Sequence, residues 1–443
     1  MRRLLRSMVL TLFFSPGMQR LRRRMAEWRR RALRRPHVVS VFLELNDPYS
    51  YLLAHYLPAL QRAYDIELRV YLAQSLGDNF KPAADMLAEY AVTDAERLAR
   101  ELGVPFLDRG HSPPVEHRRA LLDCIAAADG TPEFHDELFA ALQYFWRGDT
   151  EGVARRVGSR AADGSADSLL QRNTQRLRKM GHYNCATLNY AGEWYWGVDR
   201  LHYLSARLDE LGASKQDRAD PLLGSIRQVM HFDLPVKPPA AAKELPPLEY
   251  FHSFRSPYSY IGLQNACRIA DGFGLTLRIR PVLPMVVRGY QVPRSKLMYI
   301  AMDAFREARR LGVPFGDFAD PIGDGADRLM AVFPYAESEK RARDFVINAG
   351  KAIMSEAIDV ATDKGLREVA GRSGLFWPDV VAALKEEGWR GVVDENRDSM
   401  MESGSWGVPT MRVGEFTVWG QDRDWMLVRH LEDLCDTGEG ILV

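Results

Sequence analysis

Residues 248–270 read LEYFHSFRSPYSYIGLQNACRIA, and the change of period inside them decides the fold. Leu248 to Phe254 is an apolar and aromatic run of strand length. Arg255-Ser256-Pro257 interrupts it, and from Tyr258 to about Ala270 apolar residues recur at helical spacing. Strand, cap and helix thus follow one another directly. The same order stands earlier, where Val38 to Leu45 ends at Asn46-Asp47-Pro48 and helical spacing runs from Tyr49 to Tyr64. Pro48 and Pro257 are 209 positions apart.

That offset recurs, and an internal repeat settles the domain organisation. Tyr90 to Phe106 (YAVTDAERLARELGVPF) and Tyr299 to Phe315 (YIAMDAFREARRLGVPF) agree at 11 of 17 positions at the same offset. Thr187 to Arg200 (TLNYAGEWYWGVDR) aligns with Thr410 to Arg423 (TMRVGEFTVWGQDR) at offset 223, so the second copy is longer by 14 residues. Each copy reads as strand, helix, strand, a long helical middle, two strands turning at Ala191-Gly192 or Gly414-Glu415, and a last helix. A strand joined to the next by a helical crossover pairs in parallel, and the closing hairpin adds antiparallel strands. The expected fold class is α/β, with two tandem domains that each carry an inserted helical subdomain. Their expected bounds are 37–230 and 248–443, joined by a semi-rigid, extended, Pro-rich linker at 231–247 with Pro235, Pro238, Pro239, Pro246 and Pro247.

A chain of 443 residues suits two or three domains, and its 46% apolar and 27% charged residues are those of a globular protein. Charge is balanced at 59 basic and 59 acidic residues but unevenly spread. Residues 1–36 hold 12 Arg against the single acid Glu27, so the other 407 residues carry a net −11. A negative body speaks against nucleic-acid binding, which needs excess positive charge on the folded part. Leu4, Leu5, Met8, Leu12 and Phe13 lie between the first arginines, Ser15-Pro16-Gly17 reads as a break, and a second basic stretch surrounds Trp28. Residues 1–36 therefore read as a basic amphipathic segment, either a solvated tail or a peripheral attachment to an anionic membrane surface. The apolar run Met8 to Phe14 is too short to span a bilayer. Cys124, Cys185, Cys267 and Cys435 form no Cys-x-x-Cys pair or zinc spacing. Free thiols fit a reducing, cytoplasmic setting.

Four blocks in order carry a resemblance: Phe254 to Tyr260, Tyr299 to Phe315 ending Gly312-Val313-Pro314-Phe315, Gly407-Val408-Pro409-Thr410, and Trp419-Gly420-Gln421-Asp422-Arg423. Together they span nearly the whole second copy. The second copy resembles the thioredoxin-fold group of 2-hydroxychromene-2-carboxylate isomerases and kappa-class glutathione transferases, relatives of the DsbA oxidoreductases. The first copy looks similar but more divergent.

Read by itself, Ser256 before Pro257 is an ordinary helix N-cap. The resemblance implies a second role, because the family's serine at this place replaces the first redox cysteine and hydrogen-bonds the sulfur of bound glutathione. A helix start suits a thiolate, since its N–H groups and dipole favour negative charge. The resemblance also implies a cis bond before Pro409 and a backbone pairing of Val408 with the cysteinyl part of glutathione, like an added strand. An edge-strand proline is the plainer reading of Pro409. Gln421 and Asp422 are implied to meet the γ-glutamyl amine and carboxylate, and Asp422 reads equally well as a helix cap. Lys296 stands near the family's lysine beside the glutathione and substrate pocket; Arg294 competes for that place, and exposed lysines are ordinarily just solvated.

The first copy has Asp47 for Ser256, Leu87 for Lys296, Ala186 for Pro409 and Val198 for Gln421, keeping only Asp199 for Asp422. Asp47 caps a helix as serine does but repels a thiolate, so the glutathione site is expected in the second copy alone. His111 and His117 lack metal-ligand spacing, and Asp320 to Asp327 lacks the calcium-loop pattern and reads as a turn. The expectation is a glutathione-dependent isomerase or transferase acting on a small electrophilic, aromatic substrate, with no metal. It is not a disulfide oxidoreductase, because Ser256 and Ser259 hold the two cysteine positions. The alternative is a redox-silent thioredoxin-fold scaffold or binding protein.

Overall fold

The computed structural model describes residues 15–75, 77, 83–106, 115–157, 166–215, 221–285, 289 and 292–437. The expectations for Leu4 to Phe13 and for His111 lie outside these residues. The chain divides into two units: Arg22–His231, and Phe232–Val443 together with the residues before Arg22.

Helix α1 (Pro16–Ala32) comes first. The Ser15-Pro16-Gly17 signal is the start of this helix. Ser15 Oγ accepts the Met18 N–H at 3.2 Å, and proline costs nothing at a first helical position whose N–H has no partner. There follow β1 (Val38–Leu43), α2 (Pro48–Ala63), β2 (Glu67–Leu72), α3 (Ala84–Leu102), α4 (Val115–Ala127), α5 (Phe134–Trp146), α6 (Thr150–Val157), α7 (Ala166–Met180), β3 (Thr187–Tyr190), β4 (Glu193–Trp196), α8 (Leu201–Glu210) and α9 (Pro221–Val229). The sheet order is β2-β1-β3-β4. β1 pairs parallel with β2 and antiparallel with β3, which pairs antiparallel with β4.

The second unit holds β5 (Leu248–His252), α10 (Pro257–Phe273), β6 (Leu277–Pro281), α11 (Arg294–Leu311), α12 (Asp324–Ser338), α13 (Ala342–Ser355), α14 (Asp363–Arg372), α15 (Trp377–Ala383), α16 (Trp389–Glu402), β7 (Thr410–Val413), β8 (Phe416–Trp419) and α17 (Asp424–Thr437). Its sheet order, β6-β5-β7-β8, and its strand directions repeat those of the first unit. Every residue of β5 is buried, as befits a central strand covered on both faces. Tyr250 donates to the Ser259 carbonyl at 2.7 Å and ties the strand to α10. On the other face Phe251 packs with Val282, Met400 and Val408.

Side-chain pairings recur with the repeat. Tyr258 Oη donates to Asp303 at 2.8 Å, and Tyr49 Oη to Asp94 at 2.8 Å. Tyr260 donates to the Pro314 carbonyl at 3.0 Å, and Tyr51 to that of Pro105. The Pro-rich stretch is not extended throughout. A 3₁₀ turn, Ala240–Glu244, buries Ala242, and Leu234 and Pro238 crowd the end of α10 where only Gly272 and Gly274 leave room. Apolar contact with the second unit overrides the extended preference of proline. Among the described residues no helix is long and apolar enough to cross a membrane.

Candidate functional site

Three loops and one helix start converge at the end of β5. Its register with β7 pairs Phe251 with Thr410, and one further step sets Pro409 opposite His252. The segment before β7 therefore runs beside the turn from β5 into α10. That turn ends at Ser256, the N-cap of α10, with extended backbone (φ −83°, ψ 116°) and Pro257 at the first helical position. Ser256 Oγ accepts the Ser259 N–H at 3.1 Å. The hydroxyl is only half-buried, and its proton has no protein acceptor among the described residues. Ser259 is enclosed and serves the fold, its Oγ accepting the Ser253 N–H at 3.4 Å. Arg255 turns away into a two-bond ion pair with Asp320, 2.8 Å for each bond, and the acidic stretch is a turn only as far as Gly323, since Asp324 opens α12.

The Val408-Pro409 bond is cis, as the resemblance implied. The Pro409 carbonyl accepts the Gly420 N–H at 2.9 Å, which brings in the third loop, between β8 and α17. Thr410 Oγ1 donates to the Gly407 carbonyl at 2.7 Å. Gly407 is required by space: a β-carbon there would lie 2.5–2.6 Å from the Trp419 indole. Gly407→Ala should therefore destabilise the protein by about 1–3 kcal/mol through overpacking. Gly371→Ala, in α14 with open space around it, should not. Thermal denaturation of the two variants checks the contrast.

Lys296, in the first turn of α11, lays its ammonium against Trp406, with Nζ 5.9 Å from the ring centroid. Trp406 in turn meets Trp419 at 5.1 Å between centroids. Burial lowers the Lys296 pKa, and no carboxylate pairs with it among the described residues. The structure thus carries Lys296 to the cis-proline loop, while Arg294 at the same helix start is exposed.

Gln421 is 2% exposed. Its amide donates to Glu307 at 3.1 Å, and its Oε1 is buried with no hydrogen-bond partner. Sequence reasoning missed Glu307, also held by Arg310 at 2.9 Å; the available signal was an acid on the buried face of α11. Asp422 keeps its carboxylate nearer solvent, 3.7 Å from Arg423 Nη1. The enclosed acid at the head of α17 is Asp424, which accepts the Trp425 N–H at 2.8 Å and the Asn265 amide at 2.5 Å. Burial raises its pKa to about 6. His252 is fully enclosed and held neutral, since burial lowers its pKa to about 3. Among the described residues no group of three metal-ligating side chains occurs.

The matching place in the first unit is already satisfied internally. Asp47 accepts the N–H groups of Tyr49 and Ser50 at 3.3 and 3.1 Å and the Ser50 hydroxyl at 2.6 Å. Burial pushes its pKa up to about 7, with Glu44 adding to the shift. Ala186, in place of Pro409, has φ 53°.

Residues 247–432 match the model of the DSBA-like thioredoxin domain. The C-terminal half of this chain is a DSBA-like thioredoxin domain. Relatives named 2-hydroxychromene-2-carboxylate isomerase align with the chain. The one from Pseudomonas putida is 26% identical over 196 residues, covering 42% of this chain and 95% of the relative. That from Sphingobium xenophagum is 24% identical over 194 residues, covering 42% and 98%. A solved 2-hydroxychromene-2-carboxylate isomerase is similar at 25% identity with a TM-score of 0.39, over 44% of this chain and 99% of its own. At the start of α10 this domain carries Ser256 and Ser259 and no cysteine. What remains at the helix start is a hydrogen-bond donor and a dipole suited to an anion.

Proposed function

We propose that the DSBA-like domain is a glutathione-dependent isomerase of the 2-hydroxychromene-2-carboxylate type, or a transferase using the same site. The observation that carries this reading is the Ser256 hydroxyl, capped on one side by Ser259 N–H and left with an uncommitted proton at a helix N-terminus. Its donor and the helix dipole both favour an anion such as a thiolate. The residues fit glutathione at other points too. Val408 offers backbone N–H and C=O groups to a peptide, while the orphaned Gln421 Oε1 and the Asp422 carboxylate are acceptors for an ammonium. Bound there, glutathione would supply a nucleophilic thiolate for reversible addition to an unsaturated carbon. Ser256 holds that sulfur charged, and Lys296 orients the substrate's carboxylate.

The relatives' shared name supports this substrate class. The test is the rate at which the purified chain isomerises 2-hydroxychromene-2-carboxylate with and without glutathione; no acceleration with glutathione present contradicts the reading. Lys296→Met should raise the substrate KM about tenfold or more while altering kcat less, because the lost group binds carboxylate equally in ground and transition states. Steady-state kinetics check the split.

We further propose that the two halves are tandem copies of one fold and that the first has lost this site. Support comes from the matching sheets, the paired Tyr–Asp bonds and the internally satisfied Asp47.

A further inference from the structure

Helix α1 presents its faces in the reverse of the usual order for a surface helix, which buries an apolar stripe and exposes charge. Here Gln19, Arg22, Arg23, Glu27 and Arg30 are partly buried, whereas Leu21, Met25 and Trp28 are 49%, 62% and 74% exposed. The inner face is held by polar bonds. Arg23 grips Glu193 with two bonds of 2.7 and 2.8 Å, and Tyr195 Oη donates to the same carboxylate at 2.9 Å. Glu27 accepts from Arg30 at 2.8 Å and Arg31 at 2.5 Å; those bonds, the Arg30 one foremost, lower its pKa to about 2.

The outer face is built differently. Leu21, Met25 and Trp28 stand at i, i+4 and i+7 and form one stripe. Arg20 and Arg24 flank it on one side and Arg29 on the other. All three are exposed and have no acidic partner among the described residues. Scattered apolar residues on a surface need no explanation, but an apolar stripe edged on both sides by unpaired cations does. Such a pattern matches a bilayer interface, where Trp rests at headgroup depth, apolar chains enter the acyl boundary and arginines meet phosphates. A nucleic-acid backbone would use the cations and leave Leu21, Met25 and Trp28 without a partner.

We propose that the outward face of α1 is a docking surface for an anionic lipid bilayer, with Leu21, Met25 and Trp28 inserted and Arg20, Arg24 and Arg29 on the headgroups. This is independent of the glutathione site. The test is co-sedimentation of the full chain with vesicles of phosphatidylcholine alone or mixed with phosphatidylglycerol. Binding is expected only with phosphatidylglycerol and should weaken with added salt. The double change Met25→Ser and Trp28→Ser should weaken it about tenfold or more. Each of Arg20→Gln, Arg24→Gln and Arg29→Gln should cost about fivefold. These side chains are exposed, so the variants should keep the wild-type melting temperature. Absence of binding to the mixed vesicles, or equal binding by the Met25/Trp28 variant, overturns the proposal. So does retention on duplex DNA that the vesicles fail to displace.

Discussion

Ser256→Ala is expected to lower glutathione-dependent turnover at neutral pH by about 10- to 150-fold, the equivalent of one hydrogen bond to a charged group at about 1.5–3 kcal/mol. The lost bond is the one the Ser256 hydroxyl still has to give, since its oxygen is occupied by the Ser259 N–H and its proton has no protein acceptor among the described residues. Removing a donor to the thiolate disfavours the charged form and raises the pKa of the bound thiol. The deficit should therefore be greatest at acid and neutral pH and shrink as pH rises past the new pKa. Alanine also removes the N-cap, at about 1 kcal/mol of stability, so Ser256→Thr is the control: it keeps the hydroxyl and the cap and should recover most of the activity. A pH–rate profile unchanged in shape by Ser256→Ala would show that the hydroxyl does not act on an ionised sulfur.

Asp47→Asn should stabilise the first unit, and by more as pH rises. The Asp47 carboxyl is pushed up to about 7 chiefly by burial, from an ordinary value of 3.8. Between these two values the folded chain holds a proton that the unfolded chain has lost. Stability contributed by this group therefore falls as pH rises from about 4 to 7 and then levels off. Asparagine keeps the capping oxygen and cannot ionise. The two proteins should melt alike near pH 4, and by pH 8 the variant should be ahead by about 2–4 kcal/mol. Calorimetry resolving the first unit's transition at both pH values checks this. An advantage that does not change with pH, or a less stable variant at pH 8, would contradict it. The same buried carboxyl explains why this helix start is unsuited to an anion while its counterpart at Ser256 is suited.

Much of the fold was legible because the deciding signals are local. The passage from strand to cap to helix lies within residues 248–270, and the same order of signals stands 209 positions earlier. The end of α10 was placed at Ala270 but falls at Phe273, because Gly274 with φ 70° is what stops the helix. Contacts that join distant segments were not legible. Nothing in the spacing brings Lys296 to Trp406 or Gln421 to Glu307; the helices inserted between α11 and β7 do that. Likewise the alternation of Arg with Leu21, Met25 and Trp28 announces an amphipathic helix. Which side faces the protein depends on Glu193, more than 160 residues away. The 3₁₀ turn in the Pro-rich stretch is likewise a product of packing, with Ala242 buried and Leu234 and Pro238 lying against Gly272 and Gly274.

The most direct test of the central claim is a calorimetric titration of the intact chain with glutathione. The account predicts one equivalent bound per chain, with a thiol that ionises below its solution pKa. Asp47→Asn should leave that binding unchanged, and Ser256→Ala should remove the shift in the thiol. No binding, two equivalents per chain, or loss of the shift in Asp47→Asn rather than Ser256→Ala would contradict it.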